Sequence, residues 1–212
     1  MLSLSFIKSK ELLLKYKIPV CQTELFISKD KAMAFAKRIG YPVVMKAYSP
    51  DILHRTDLGL VKLGIKNNEN FEKSWEDISA IVKKRKLKIE GILVQKMVLG
   101  KEIVAGMKRN SQFGPVLMVG LGGIFVEVLK DVTFRIAPIT EREAVAMLKE
   151  TKGYGILKGI RGEKPVNIKA VAKIIYLVSL LSLKEKHIRE IDFNPIIANE
   201  KTAVAVDFKF LV

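Results

Sequence analysis

The chain contains only two histidines, and one of them, His54, lies in the polar run SPDILHRTDLGLV at 49–61. An imidazole in such a loop is either a solvated side chain or the group that the chain exists to modify. Just upstream, Lys46 ends the apolar run VVMK. A lysine in a buried strand must neutralise something anionic; the alternative is a lysine snorkelling at a strand edge. Near the C-terminus, Asp192 and Asn194 alternate in EIDFNP, so they share one side of a strand with Phe193 on the other. Asp207 is the lone carboxylate of AVAVDF, on the expected neighbouring strand. Carboxylate and amide oxygens without a soft donor suit Mg²⁺, which completes its shell with phosphates and water. Together these residues supply a cation for phosphate, oxygen ligands for a hard metal, and an imidazole. Glu102, just past Gly100, reads by itself as the opening of a strand.

Other chemistries are excluded by what the chain lacks. It has no G-x-x-x-x-G-K-[ST] phosphate loop and no G-x-G-x-x-G opening a helix. No serine or cysteine sits in a nucleophile-elbow context. The single cysteine, Cys21, excludes an internal disulfide framework and a cysteine-based zinc site. GLGGI at 120–124 is expected to be a glycine hairpin turn between two apolar strands. The second histidine, His187 in KEKHIREI, is expected to be a solvated side chain.

The elements that must position these groups follow from periodicity. MLSLSFIKSKELLLKYKIP reads as an amphipathic helix without a signal-peptide core. SKDKAMAFAKRIGYP spaces Ala32, Phe35, Ala36 and Ile39 helically, with Ser28 as N-cap and Gly40 as stop. PVVMKA predicts a buried strand ending on Lys46, and GLVKLGI a half-buried one. Phe71, Trp75, Ile78 and Val82 mark a helix, followed by the strand IEGILVQKM. Four strands are then expected, KEIVAGMKR, GPVLMVGL, GIFVEVL and TFRIAP, in an antiparallel sheet. Thr140 and Glu143 form a capping box, Asn167 heads the next helix, and REIDFNPI and TAVAVDFKF close the chain as strands. The fold class is α+β: an N-terminal helix at 1–20, a first lobe at 21–97 and a second at 98–212.

The formal net charge is +15, from 37 basic and 22 acidic residues. Most lysines are interleaved with glutamates, and the one basic run, KKRK at 83–86, falls at a helix end where cations complement the dipole. No aromatic-basic interleaving of the base-stacking kind is present, so nucleic acid is not the expected partner. No apolar run reaches the roughly 18 residues of a membrane span. A cytoplasmic location without membrane association is expected.

The runs IGYPVVMKAYSPDILHRTDLGLV, GILVQKMVLGKEIVAGMKRNSQFGPVLMVGLGGIFVEVLKDVTFRIAPI and EIDFNPI with AVDFK resemble, in order, the β subunit of ADP-forming acyl-CoA synthetases, also called acetate–CoA ligases (ADP-forming). These are relatives of succinyl-CoA synthetase. The resemblance covers nearly the whole chain and implies an ATP-grasp fold, two α+β lobes clamping a nucleotide. It implies that Lys46 contacts nucleotide phosphates, that Gln95, Lys96, Met97 and Val98 form the hinge along the adenine, and that Glu102 lies near the ribose. It implies that Asn194 and Asp207 bind Mg²⁺, that Asp192 orients a phosphorylated histidine, and that His54 is that histidine. The implied reaction is acyl-CoA + ADP + phosphate giving acid + CoA + ATP, reversible. A CoA-binding α subunit is the implied partner, in an α2β2 heterotetramer, because nothing here resembles its CoA-binding fold. Leu60 stands where relatives often carry a second glycine.

Two other readings follow from the same residues. A regulatory ATP-grasp module of an acyltransferase-type partner binds nucleotide without forming phosphohistidine. A basic nucleic-acid-binding protein shows salt-dependent polyanion affinity and no nucleotide response.

Overall fold

The computed structural model describes residues 2–49, 58–160 and 162–212. The chain divides into two compact units, Cys21–Val98 and a second made of Met1–Val20 with Leu99–Val212. The N-terminal twenty residues therefore do not stand alone.

In the 21–98 unit, β1 (Thr23–Phe26), α2 (Lys29–Ile39), β2 (Val43–Tyr48), β3 (Val61–Ile65), α3 (Asn68–Lys84) and β4 (Gly91–Lys96) form an antiparallel sheet, order β1-β4-β2-β3, with two helices. Ser28 and Asn67 cap α2 and α3 by accepting from the backbone N–H three residues on. Val43, Met45 and Ala47 of β2 pack with Ile92 and Val94 of β4 against Phe35, Phe71 and Ile78 of the helices. Leu60, just before β3, is fully buried in the same core. β2 runs two residues past Lys46 and lies inside the sheet, which rules out the strand-edge reading of that lysine.

The other unit begins with α1 (Phe6–Lys15), whose Leu13 enters the core. The chain before it pairs with the C-terminal strand, Leu2 and Leu4 N–H donating to the carbonyls of Val212 and Phe210 at 3.1 and 3.0 Å. The sheet has the order β10-β8-β5-β6-β7, all antiparallel, with β9 also on β8. Its strands are β5 (Lys101–Asn110), β6 (Gly114–Leu121), β7 (Val132–Ile136), β8 (Glu190–Ala198), β9 (Ala203–Ala205) and β10 (Phe208–Leu211). One face is covered by α5 (Glu141–Glu150), α6 (Tyr154–Leu157) and α7 (Ile168–Lys184). The Thr140/Glu143 capping box is present, and Asn167 caps α7.

Two expectations are corrected. GIFVEVL is not a strand: Gly123, at φ 61°, opens the four-residue helix α4 (Ile124–Glu127), with its carbonyl accepting from Val126 and Glu127 N–H. Both edges of β6 are already taken, by β5 and β7, so this segment cannot pair with β6 as a further strand. GLGGI accordingly leads from strand to short helix and is not a hairpin turn. TAVAVDFKF is not one strand either, because it breaks at Val206–Asp207 into β9 and β10.

Candidate active site

In the 21–98 unit the chemistry is carried by the sheet face turned away from the helices. β2 places Lys46 opposite Leu93, and Val44 opposite Gln95. Lys46 and Gln95 are therefore diagonal neighbours on one face, within reach for long side chains. Both are buried, at 9% and 5% exposure. A buried ammonium in such a sheet is suited to an anionic ligand with little competing water.

The strand end after Gln95 is fixed by its neighbours. Lys96 Nζ donates to the carbonyls of Gly40 and Tyr41 at 2.7 and 3.1 Å. That satisfies carbonyls just beyond the last turn of α2, so the Lys96 side chain is occupied structurally. Met97 N–H donates to the Pro42 carbonyl at 3.2 Å, and Met97 and Val98 are half-buried. His54 and its flanks, residues 50–57, lie outside the described residues.

In the other unit, three of the predicted residues meet where β8 changes partners. Before this point β8 pairs with β10, Phe193 opposite Phe208; after it, with β9, Ile196 opposite Ala205. Asn194 and Pro195 thus face Val206 and Asp207. Proline offers no N–H to a ladder, while the Pro195 carbonyl accepts from Val206 and Asp207 N–H at 3.2 and 3.4 Å. The bend in the partner chain is fixed by these bonds, and Asp207 stands at the bend beside Asn194. Phe193 is fully buried in the core, whereas Asp192 is half-buried and Asn194 exposed, as strand alternation requires.

Burial, with Glu190 and Asp207 nearby, pushes the Asp192 carboxyl up to about 6, while Lys209 opposes the rise. Lys209 lies opposite Asp192 on β10, and Glu190 precedes it by two residues on the same face. Neither was singled out from the sequence, although the alternation Glu190, Asp192, Asn194 is legible there. Gly106 of β5, opposite Asp192 on the other side, was also missed. A Cβ at Gly106 would lie 2.5 Å from the Ile191 carbonyl oxygen, so the close approach of β5 to β8 requires glycine.

Glu102 is exposed at the second position of β5, with its carbonyl accepting from Gly122 N–H at 2.9 Å. It lines a cavity of about 420 Å³ together with Lys101, Leu121, Phe125, Ile156 and Ile160. His187 is exposed, 3.8 Å from Glu185, as expected of a solvated side chain.

Asn194 and Asp207 fit Mg²⁺. They offer one amide and one carboxylate oxygen, and beside them burial and the charges of Glu190 and Asp207 hold the Asp192 carboxyl up, Lys209 offsetting only part of the rise. Among the described residues no group of three or more His, Cys, Asp or Glu forms a metal cage.

The ATP-grasp domain family matches residues 2–212. The chain is 47% identical over 208 residues to the acetate–CoA ligase [ADP-forming] I subunit beta of Pyrococcus furiosus, covering 97% of this chain and 90% of that one. It superposes with a TM-score of 0.92 and 38% identity on Ca. Korarchaeum cryptofilum dinucleotide forming acetyl-coenzyme A synthetase 1 in complex with coenzyme A, Ca-AMPCP and HgCl⁺, over 100% of this chain and 93% of that one. A second structure of that enzyme holds coenzyme A and Mg-AMPPCP, its phosphohistidine segment pointing towards the nucleotide binding site; the TM-score is 0.86 at 35% identity, over 99% and 92% of the two chains. With its two α+β units, its buried strand lysine and the oxygen cluster at the β8 partner switch, the chain belongs to the ATP-grasp family, among the β subunits of ADP-forming acetate–CoA ligases.

Proposed function

We propose that this chain is the nucleotide-binding subunit of an ADP-forming acyl-CoA synthetase and transfers a phosphoryl group between His54 and ADP. The observation that carries this reading is the convergence of Asp192, Asn194 and Asp207 where β8 changes partners. In the direction of ATP synthesis, a β-phosphate oxygen of ADP attacks the phosphorus on His54. The P–N bond breaks, its electron pair returns to the ring nitrogen, and ATP leaves. Lys46 binds the phosphate oxygens through its buried ammonium. Gln95 to Val98 and Glu102 hold the adenosine part. Asp192 accepts from a ring N–H of His54, fixing the tautomer and supporting imidazolium character. Mg²⁺, held by Asn194 and Asp207, would supply charge neutralisation for a loose phosphoryl transition state.

A separate CoA-binding subunit loads His54 from an acyl phosphate, completing acyl-CoA + ADP + phosphate = acid + CoA + ATP. The relative's designation as subunit beta supports such a partner, and an α2β2 assembly is the stoichiometry proposed. The test is phosphorylation with γ-labelled ATP and Mg²⁺, with and without the CoA-binding subunit. An acid-labile, base-stable label lost in His54→Ala is expected. Full turnover by His54→Ala would overturn the relay, and nucleotide binding without any label would favour the regulatory module.

A further inference from the structure

The proposed reaction leaves one lysine beside Asp192, Asn194 and Asp207 without a task. Lys209 is the second residue of β10, directly opposite Asp192 on β8. Its two neighbours fix which way it faces. Phe210 is fully buried and meets Phe193 edge to face at 6.4 Å. Phe208 packs against the same core and stacks on Phe6 at 5.5 Å. With both phenylalanines turned to the core, strand alternation turns Lys209 to the opposite face, which Asp192 shares.

That face is polar and mostly acidic around Lys209. Glu190 lies two residues before Asp192, with the exposed Lys108 of β5 opposite it. Glu190 and Asp207 both act electrostatically on the Asp192 carboxyl, and Lys209 is the cation that opposes them.

A lysine so placed is expected to bond to one of these carboxylates. Directly opposite residues have Cβ atoms roughly 4.5–5.5 Å apart, a gap that a lysine side chain spans. Lys209 nevertheless makes no ion pair and no side-chain hydrogen bond among the described residues, although it is half-buried. Other half-buried lysines are engaged. Lys62 and Lys101 sit in ion pairs at 2.9 and 2.5 Å, and Lys96 donates to the Gly40 and Tyr41 carbonyls. An ammonium that has given up part of its water without gaining an acceptor costs free energy, which an arriving anion offsets.

The neighbours select that anion. Asn194 and Asp207, as the proposed Mg²⁺ ligands, bring a metal–phosphate complex to this face. Asp192 stands on the histidine side of the transfer, and Lys209 is its direct cross-strand neighbour. The oxygen that Lys209 meets therefore belongs to the terminal phosphate, the group in transfer. A fixed cation there stabilises the charge spread over the equatorial oxygens of a loose transition state.

We infer that Lys209 is a further catalytic residue, its ammonium bound to an oxygen of the nucleotide's terminal phosphate as that group moves between ATP and His54. This rests on the proposed phosphoryl-transfer reading. In loading from ATP, the bond from the γ-phosphorus to its bridging oxygen breaks and ADP leaves with the electron pair. The P–N bond to His54 forms, the ring proton stays on the nitrogen facing Asp192, and Lys209 keeps its protons throughout.

The test compares Lys209→Met, Lys209→Arg and Lys108→Met with the wild-type full chain. Calorimetry measures affinity for ADP and for the β,γ-methylene analogue of ATP, both with Mg²⁺. Labelling of His54 from γ-labelled ATP is timed with the CoA-binding subunit present. Lys209→Met is expected to lose at least tenfold in affinity for the analogue and in labelling rate, with ADP affinity within about twofold. Lys209→Gln takes its place if that variant does not fold. Lys209→Arg should stay within about threefold of the wild type throughout, and Lys108→Met should match the wild type. An equal loss for ADP and the analogue, or no loss for either, overturns the contact with the terminal phosphate. A loss as large in Lys209→Arg or in Lys108→Met also overturns it, in favour of side-chain shape or of the general field. Selective loss for the analogue in a protein that never labels His54 upholds the phosphate contact and refutes the histidine relay. Failure of the wild type to bind either nucleotide overturns both readings together.

Discussion

Asp207 is held beside Asn194 by a main-chain bond, its N–H donating to the Pro195 carbonyl at 3.4 Å where β8 leaves β10 for β9. Neither side chain reaches this place by local structure; the partner exchange puts it there. Asp207→Ala and Asn194→Ala are expected to bind nucleotide more weakly in the presence of Mg²⁺ by at least tenfold. The difference should shrink when EDTA replaces the metal. Calorimetric titration with ADP, with and without Mg²⁺, checks this; an equal loss under both conditions would refute the ligand role.

Asp192 carries a conflict between stability and function. Its carboxyl is held at about 6 instead of 3.8, so the native state binds its proton more tightly than the unfolded chain does. Stability from this group is therefore present below about pH 4 and lost as pH rises through about 6. The cost of ionising it is on the order of 3 kcal/mol. Asp192→Asn is expected to raise the melting temperature of the metal-free protein at pH 7.5, with the gain vanishing near pH 4. The same variant should slow phosphoryl transfer from His54 by at least tenfold. Thermal melts across pH, set beside single-turnover labelling, separate the two effects.

Lys46 is buried in an interior strand, and Lys46→Met keeps an unbranched side chain one atom shorter and removes its charge. Affinity for ADP is expected to fall at least tenfold, while affinity for adenosine, which lacks phosphate, stays within about twofold; a 1.4 kcal/mol loss is already tenfold. Comparable loss for both ligands would mean that the lysine supports the sheet and not the phosphates.

Gly106→Ala places a methyl group against the Ile191 carbonyl, 2.5 Å from an ideal Cβ position. Since the clash is with backbone, β5 and β8 must separate at the point where Asp192 stands. A loss of about 1–3 kcal/mol in stability is expected, with reduced labelling of His54. Denaturant unfolding measures the first and γ-labelled ATP the second.

Glu185 anchors the N-terminal helix, accepting from Lys15 Nζ and Tyr16 Oη at 2.7 and 2.8 Å. These bonds hold its carboxyl below the usual range. Its contribution is present above the ordinary glutamate range and is lost as pH falls through the lowered value. Glu185→Gln should lower the melting temperature at pH 7 by about 1–3 °C, and the two proteins should converge under acid.

Local chemistry was legible from the residues themselves. Ser28, Asn167 and the Thr140/Glu143 box start helices wherever they stand, because a cap acts on the N–H groups three residues away. Alternation in EIDFNP gave the facing of Asp192 and Phe193 for the same reason. GIFVEVL misled because its β-branched composition favours a strand, while strand formation needs a free edge, and β6 has none.

The sequence by itself determined most of the elements, the buried lysine and the residue types of the site, since these depend on periodicity, capping and burial over a few positions. The tertiary structure alone decided that TAVAVDFKF breaks at Asp207, that Lys96 spends its ammonium on the end of α2, and that Gly106 lets Asp192 approach. Each of these depends on register or contact between segments distant in the chain. Such pairing is fixed by the packing of whole strands and leaves no local signature at the residues it brings together.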